Sequence, residues 1–325
     1  MECCSRLIGL LVWATLATQV AAQPLPPLFR RAIDATSDDP VAIPLWKGTI
    51  PNQRAELGTR QTKNRGAEKK VYQRWISGIT VPQLTIHPAA PTHEPRPAVI
   101  ICPGGGYYGL AIDKEGHDTA RWLNSLGITG LVLEYRTAPF HVGAPKQDVQ
   151  EAIRVARVRA TEWHIDPNRL GVLGYSAGGH LASTAGTHFG DNESLRPDFM
   201  ILIYPVVSLE ASITHQGSRN NIIGRNPSPE LVHEYSNERH VTDRTPPTFI
   251  VHAKDDKSVP WEHSRRLIAA LQAFGTAATL DVYKTGGHGF GLGVHGGEVT
   301  AWPKNCAKWL ESIKIIAPQD ADMTQ

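Results

Sequence analysis

"LGVLGYSAGGHLAS", residues 170–183, carries an apolar run into a serine set among small residues. The run 170–175 reads as a buried strand, and the residues after Ser176 read as the start of a helix. Gly174, Gly178 and Gly179 leave almost no side-chain volume around the serine. Such residues suit a chain that reverses so tightly that a side chain would strike the adjoining strand. Gly174-Tyr175-Ser176-Ala177-Gly178 is G-x-S-x-G, and a strand before it with a helix after it is the setting that separates a nucleophile elbow from a chance pentapeptide. The helix would aim its first N–H groups at the serine and favour negative charge there. The competing reading is a buried turn with an incidental serine, and the rest of the chain decides between them.

Outward from the elbow, short apolar runs alternate with helical patterns. Candidate strands are 84–87, 98–102, 130–135, 170–175, 199–204, 248–253 and 279–283, several of them apolar throughout, as strands covered on both faces must be. Val149, Ala152, Ile153, Ala156 and Ala160 mark one face of a helix after Pro145. Leu267, Ile268, Leu271 and Phe274 mark another, which Gly275 ends, and Pro303 falls in the first turn of a last helix over 301–315. This alternation predicts an α/β fold with a doubly wound, mostly parallel sheet and helices on both faces.

A serine hydroxyl attacks only when a base takes its proton, and the base needs an acid to fix its tautomer. Downstream, "FIVHAKDDKSVP" (249–260) runs a strand into Asp255 and Asp256, and "YKTGGHGFGLG" (283–293) runs a strand into a glycine loop carrying His288. The order Ser, Asp, His at the ends of successive strands suits this architecture. Of the fourteen histidines, His180 and His252 read as packed, hydrogen-bonded residues. Adjacent aspartates leave a turn in different directions, so the pattern leaves Asp255 and Asp256 both open. Acyl transfer also needs amide donors for an oxyanion, and Ala177 N–H with the loop of "VIICPGGGYYG" (99–109) supplies them. Tyr107, Tyr108 and Trp261 offer flat faces to a sugar ring.

The chain has 325 residues, 41% hydrophobic, with formal charge +2. That balance gives no electrostatic footprint for nucleic acid, and the densest basic run, "KNRGAEKK" (63–70), reads as a solvated loop. "MECCSRLIGLLVWATLATQVAAQ" carries Arg6, an apolar run and then small residues, with Val20 and Ala22 at −3 and −1 of a cleavage site. Residues 1–22 thus read as a signal peptide and the protein as secreted or periplasmic, without stable membrane association once the signal is removed. Residues 23–57 read as an extended arm on the surface, 58–318 as the catalytic domain and 319–325 as a tail. Cys102 reads as a core residue at a strand end, and export would permit its pairing with Cys306. Two distant cysteines and no histidine pair at ligand spacing argue against a metal site. The G-x-G-x-x-G at 291–296 opens no βαβ unit, so no cofactor is expected.

With these residues assembled, the chain resembles the α/β-hydrolase superfamily and, within it, secreted carbohydrate esterases of the acetyl-xylan type. The likeness runs from about residue 43 to 310 through "PLWKG" (44–48), "CPGGGYYGLAIDKEG" (102–116), "LEYR" (133–136), "GYSAGGHLAS" (174–183), "ILIYPVVSL" (201–209), "TPPTFIVHAKDDKSVP" (245–260) and "GGHGFGL" (286–292). It implies Ser176 as nucleophile, His288 as base and Asp256 as acid. It also implies Gly104 and Gly105, with Gly106 as a further candidate, as oxyanion donors beside Ala177. Pro103 stands where many relatives have a histidine, which removes a histidine-dependent hydrogen bond but leaves the amides. Arg136 falls at a position expected to be structural. The substrate implied is a carbohydrate ester such as acetylated xylan. Two other readings are a peptidase of the prolyl-oligopeptidase kind, whose large gating domain this chain has no room for, and a silent binding protein on the same fold. The polar segment "HQGSRNNIIGRNPSPE" (215–230) lies in the longest interruption of the pattern, 205–245, and is expected to form a small cap unlike an oily lipase lid. An imidazole base accepts a proton only when neutral, so hydrolysis should rise across about pH 6–7; a pH–rate profile flat from about pH 5 to about 8 would count against a histidine base.

Overall fold

In the computed structural model, which describes residues 41–54, 58–65, 73–293 and 296–318, the apolar runs lie side by side in one sheet. Along the chain the strands are β1 (Val41–Pro44), β2 (Gln61–Asn64), β3 (Arg74–Ser77), β4 (Gln83–His87), β5 (Arg96–Cys102), β6 (Gly109–Leu110), β7 (Thr129–Glu134), β8 (Ile165–Tyr175), β9 (Phe199–Ile203), β10 (Thr248–Ala253) and β11 (Ala278–Tyr283). The helices are α1 (Asp118–Ser125), α2 (Ala144–Val158), α3 (Ala160–Trp163), α4 (Ala177–Thr187), α5 (Gln216–Ile223), α6 (Pro229–Glu234), α7 (Glu262–Ala273) and α8 (Trp302–Ser312).

Among the described residues the main sheet has eight strands in the order β1-β4-β7-β5-β8-β9-β10-β11. Strands β7, β5, β8, β9, β10 and β11 pair in parallel, while β4 runs antiparallel to β7 and β1 antiparallel to β4. Every residue of β7, β9 and β10 is buried, which is why these strands show no period-two alternation. Helices cover both faces. Phe199 of β9 meets Trp309 of α8, whereas a Cβ added to Gly186 of α4 would lie 2.2 Å from the sulfur of the next residue, Met200. Successive strand residues point to opposite faces, so α8 and α4 lie on opposite sides.

The chain leaves β5 for β7 on one side and later enters β8 on the other. A crevice therefore opens beyond the carboxyl ends of β5 and β8, the usual ligand position in an open parallel sheet. The glycine loop follows β5 and the elbow follows β8, so both fall at this switch point.

Two expectations change. Within the segment read as an arm, residues 41–44 form β1, the sheet's edge strand, where Pro44 costs no ladder bond, and Leu45 is buried, while residues 23–40 lie outside the described residues. A small antiparallel sheet, β2-β3-β6, also forms beside the crevice. Its strand QTKN is exposed at every position and carries no apolar pattern, so pairing alone defines it. The regions read as a signal peptide and a C-terminal tail lie outside the described residues. Cys102 and Cys306 are both buried and free.

The motif "LWKG" has a structural reason. Asp148 of α2 accepts from Trp46 Nε1 at 3.0 Å, from Arg136 N–H at 3.0 Å and from Arg136 Nε at 2.9 Å. Arg136 also donates to the carbonyls of Pro51 and Ala144 at 2.6 and 2.9 Å. This buried pair joins the N-terminal segment, β7 and α2. Asp148→Asn should lower stability by about 3–5 kcal/mol because it strands a buried guanidinium; a loss below about 1 kcal/mol in urea unfolding would show that the pair does not hold these elements together.

Candidate active site

Ser176 is the hinge between β8 and α4, with φ 53° and ψ −119°, a strained conformation for a residue with a side chain. Its N–H donates to Ile203 O at 3.0 Å, and its carbonyl accepts from Val206 N–H at 3.0 Å and His180 N–H at 3.1 Å. A Cβ on Gly178 would lie 2.0 Å from Cys102 O, and one on Gly174 would lie 2.1 Å from Gly178 O. Glycine is thus required where the elbow presses against the end of β5.

His288, in the loop after β11, lies with Nε2 2.9 Å from Ser176 Oγ and Nδ1 2.6 Å from Asp256 Oδ2. An ionised carboxylate only accepts, so Nδ1 carries the proton and Nε2 is left to accept the serine hydroxyl. The other oxygen of Asp256 accepts from the N–H groups of Ser258 and Val259, both at 2.9 Å. Burial alone would raise this carboxyl, but the neighbouring His252 and His288 rings and the Val259 amide hold it well below the usual carboxylate range. Asp255 turns the other way and accepts from Gly287 N–H at 2.8 Å. One aspartate thus faces the imidazole, while its neighbour anchors the loop that carries it. His252 is a satisfied core residue, held by Ser264 Oγ at 2.7 Å and Val259 O at 2.9 Å.

The glycine loop differs from expectation at one position. Gly104 N–H donates to Glu115 Oε2 at 2.8 Å, so it is turned away from any oxyanion. One amide proton makes one good hydrogen bond, which leaves the amides of Gly105, Gly106 and Ala177 without an acceptor among the described residues. Glu115 sits in a π-helical turn, Asp113–His117, and its other oxygen accepts from Tyr204 Oη at 2.9 Å. Burial pushes the Tyr204 phenol up, so it stays a donor. The same phenol oxygen accepts from Gly291 N–H at 3.1 Å, and its ring packs edge-on against His288 with centroids 4.9 Å apart. Glu115 and Tyr204 therefore tie the glycine loop to the histidine loop. Sequence reasoning missed both, since a glutamate within "DKEG" and a tyrosine at a strand end carry no motif of their own.

Ser176, His288, Gly104, Gly105 and Gly106 line one cavity of about 440 Å³. Its walls also include Arg65, Trp75, Tyr108, Lys114, His215 and Asn221. Tyr107, expected to face a sugar, is instead fully buried, and its hydroxyl meets His180 Nδ1 at 2.8 Å. Its φ of 61° turns the ring into the core. Tyr108, 59% exposed, is the tyrosine at the cleft. Trp261 lies beside Lys254 at the start of α7 and does not line the cavity, whereas Trp75 of β3 does. The cap expected over 205–245 contains α5 and α6, and Asn221 Nδ2 on α5 donates to Gly106 O at 2.8 Å.

A hydroxyl, an imidazole and a carboxylate in line, with free amides beside the hydroxyl, can move a proton off the serine and receive negative charge on an attacked carbonyl oxygen.

The sequence profile of the BD-FAE family matches residues 84–271. The chain is similar to the acetylxylan esterase of Xylanibacter ruminicola, at 36% identity over 220 residues, 66% of this chain and 45% of that protein. It is also similar to endo-1,4-beta-xylanase B of Butyrivibrio fibrisolvens, at 33% identity over 208 residues, 60% of this chain and 32% of that protein. The chain thus matches less than half the length of these two relatives. Among solved structures, an acetyl ester-xyloside bifunctional hydrolase from Caldicellulosiruptor lactoaceticus matches with a TM-score of 0.73 and 37% identity, over 85% of this chain and 97% of that one.

Glu115→Ala should lower kcat on p-nitrophenyl acetate by on the order of a hundredfold by loosening the glycine loop. Glu115→Gln, which keeps an acceptor oxygen for Gly104, should cost less than about tenfold. Equal rates for wild type and Glu115→Ala would remove the carboxylate from any role in holding that loop.

Proposed function

The chain belongs to the BD-FAE family and has the α/β-hydrolase fold, and from that premise we propose that it is a serine esterase that removes acetyl groups from carbohydrate esters such as acetylated xylan. The observation that carries this reading is the line from Ser176 Oγ through His288 to Asp256, at 2.9 and 2.6 Å, at the wall of a cavity. Free amides at Gly105 and Ala177 beside the hydroxyl support it.

In the proposed mechanism His288 Nε2 takes the hydroxyl proton as Ser176 Oγ bonds to the ester carbonyl carbon. The carbonyl oxygen becomes negative and is held by the amides of Gly105 and Ala177, with Gly106 as a further donor and the N-terminus of α4 behind. Asp256 stabilises the imidazolium that forms. The carbon–oxygen bond to the sugar then breaks, and His288 gives its proton to the departing alcohol. Water, deprotonated by the same imidazole, attacks the acyl-serine and releases acetate and the free hydroxyl.

The substrate class rests on two supports. One is the kind of protein the chain is similar to, an acetylxylan esterase and an acetyl ester-xyloside hydrolase. The other is the cavity wall, whose cap side is polar, with His215 and Asn221. Residues 1–22 are read in the same proposal as an export signal, which suits an enzyme whose polymeric substrate lies outside the cell. Among the described residues no helix is long and apolar enough to cross a membrane.

The test is acetate release from acetylated xylan and from p-nitrophenyl acetate, with a proline-containing peptide assayed alongside. Ser176→Ala should reduce both ester activities by roughly 10⁴-fold or more. Cleavage of the peptide alone would favour a peptidase, and inactivity of the wild type on every substrate would favour a binding protein.

A further inference from the structure

His215 is the N-cap residue of α5, in the cap above the glycine loop. Its Nδ1 accepts from Ser218 N–H at 3.1 Å, and Ser218 Oγ lies 2.9 Å from the same nitrogen. A backbone N–H can only donate, so Nδ1 is unprotonated and the neutral ring carries its hydrogen on Nε2. The Ser218 hydroxyl adds a second donor to Nδ1 and reinforces that tautomer. Nε2 has no hydrogen-bond partner among the described residues.

The ring is fixed in place. Gly217 leaves it room, since a Cβ there would lie only 3.0 Å from His215 Cε1. On its other side the same carbon is 3.6 Å from where a Cβ of Gly106 would stand. Asn221, on the same helix, holds Gly106 O at 2.8 Å, so cap and glycine loop are joined beside the imidazole. His215 lines the cavity with Ser176 and His288. Burial and the nearby His288 lower its pKa, which keeps the ring in the neutral form that this tautomer requires.

A half-buried donor with no acceptor among the described residues, in the wall of the cavity that Ser176 also lines, is poised for an acceptor on the substrate. The reacting carbonyl oxygen is served by amides of the glycine loop and elbow, so the acceptor belongs to the alcohol part of the ester. We propose that His215 Nε2–H donates to a hydroxyl or ring oxygen of the sugar bearing the ester, and so selects sugar esters over esters of alcohols without such oxygens. The inference rests on the esterase reading above and names the residue that recognises its carbohydrate.

The test uses His215→Asn and His215→Ser. Asparagine and serine are both strong N-cap residues, so the start of α5 is kept while the Nε2–H is lost. Monoacetylated methyl β-xylopyranoside is compared with cyclohexyl acetate, an ester of similar ring size with no hydroxyl. In the wild type and each variant the quantity read is the ratio of kcat/KM for the xyloside ester to that for cyclohexyl acetate. The ratio should fall about three- to tenfold in both variants, as expected for one neutral hydrogen bond, with the change mainly in KM. A ratio that stays as in the wild type, whether both activities fall together or neither moves, overturns the proposal. A wild type with no Ser176-dependent release from the xyloside ester, yet active on cyclohexyl acetate, would instead overturn the carbohydrate reading on which this one stands.

Discussion

The backbone of Gly178 presses against the carbonyls of Cys102 and Pro103 so closely that a methyl group would lie 2.0 Å from one and 2.5 Å from the other. This contact makes the chain reverse within one residue after β8 and puts the strain of that reversal on Ser176. It also brings the end of β8 against the end of β5, so the serine and the glycine loop meet although they are far apart along the chain. The remaining parts of the cleft are arranged around that junction. Because β5 and β8 flank the switch point of the sheet, no crossover helix covers their carboxyl ends, and the crevice stays open.

What keeps the distant loops in register is a buried polar chain. Glu115 takes the amide of Gly104 and the hydroxyl of Tyr204, and Tyr204 takes the amide of Gly291 just beyond His288. A carboxylate that is only 4% exposed is tolerable because it is hydrogen-bonded on both oxygens. Asp255 adds a second tie through Gly287. The imidazole is therefore positioned from two directions, which suits a site where small displacements of reacting groups cost large factors in rate. Lys114, whose Nζ donates to Gly289 O at 2.7 Å, closes the same loop over the π-helical turn.

The cleft is walled by two insertions into the alternating pattern. The small sheet brings Trp75 to one side, and Arg74 of the same strand is joined to Asp113 beside Glu115, with Nη2 at 2.6 Å. The cap brings His215 and Asn221 to the other. Aromatic and hydrogen-bonding side chains share these walls, Trp75 and Tyr108 with Arg65, His215 and Asn221. The hydrogen-bonding groups among them need partners that a hydrocarbon cannot provide.

Much of this was legible in the sequence. The seven candidate strands all appear, with boundaries shifted mostly by one or two residues, because strands buried on both faces are continuous apolar runs. Ser176, His288 and the Asp255–Asp256 pair stand out in local motifs in strand-end loops, where chemistry imposes residue type directly. The choice of Asp256 over Asp255 came from resemblance, and the coordinates give the two distinct hydrogen-bond partners. Strands β1, β2, β3 and β6 were not legible, since strands of two to four residues lack an internal pattern and exist only through their partners. Nor were the diversion of Gly104's amide to Glu115, the burial of Tyr107 and the tautomer of His215. Each of these depends on which group from elsewhere in the chain arrives within about 3 Å of one hydrogen-bonding atom. Sequence determined what is encoded by periodicity and residue type, namely the parallel sheet, the elbow and the candidate site residues at the strand ends. Tertiary structure alone decided what depends on direction, because a hydrogen bond is satisfied by geometry and the sequence carries no record of where a given N–H points.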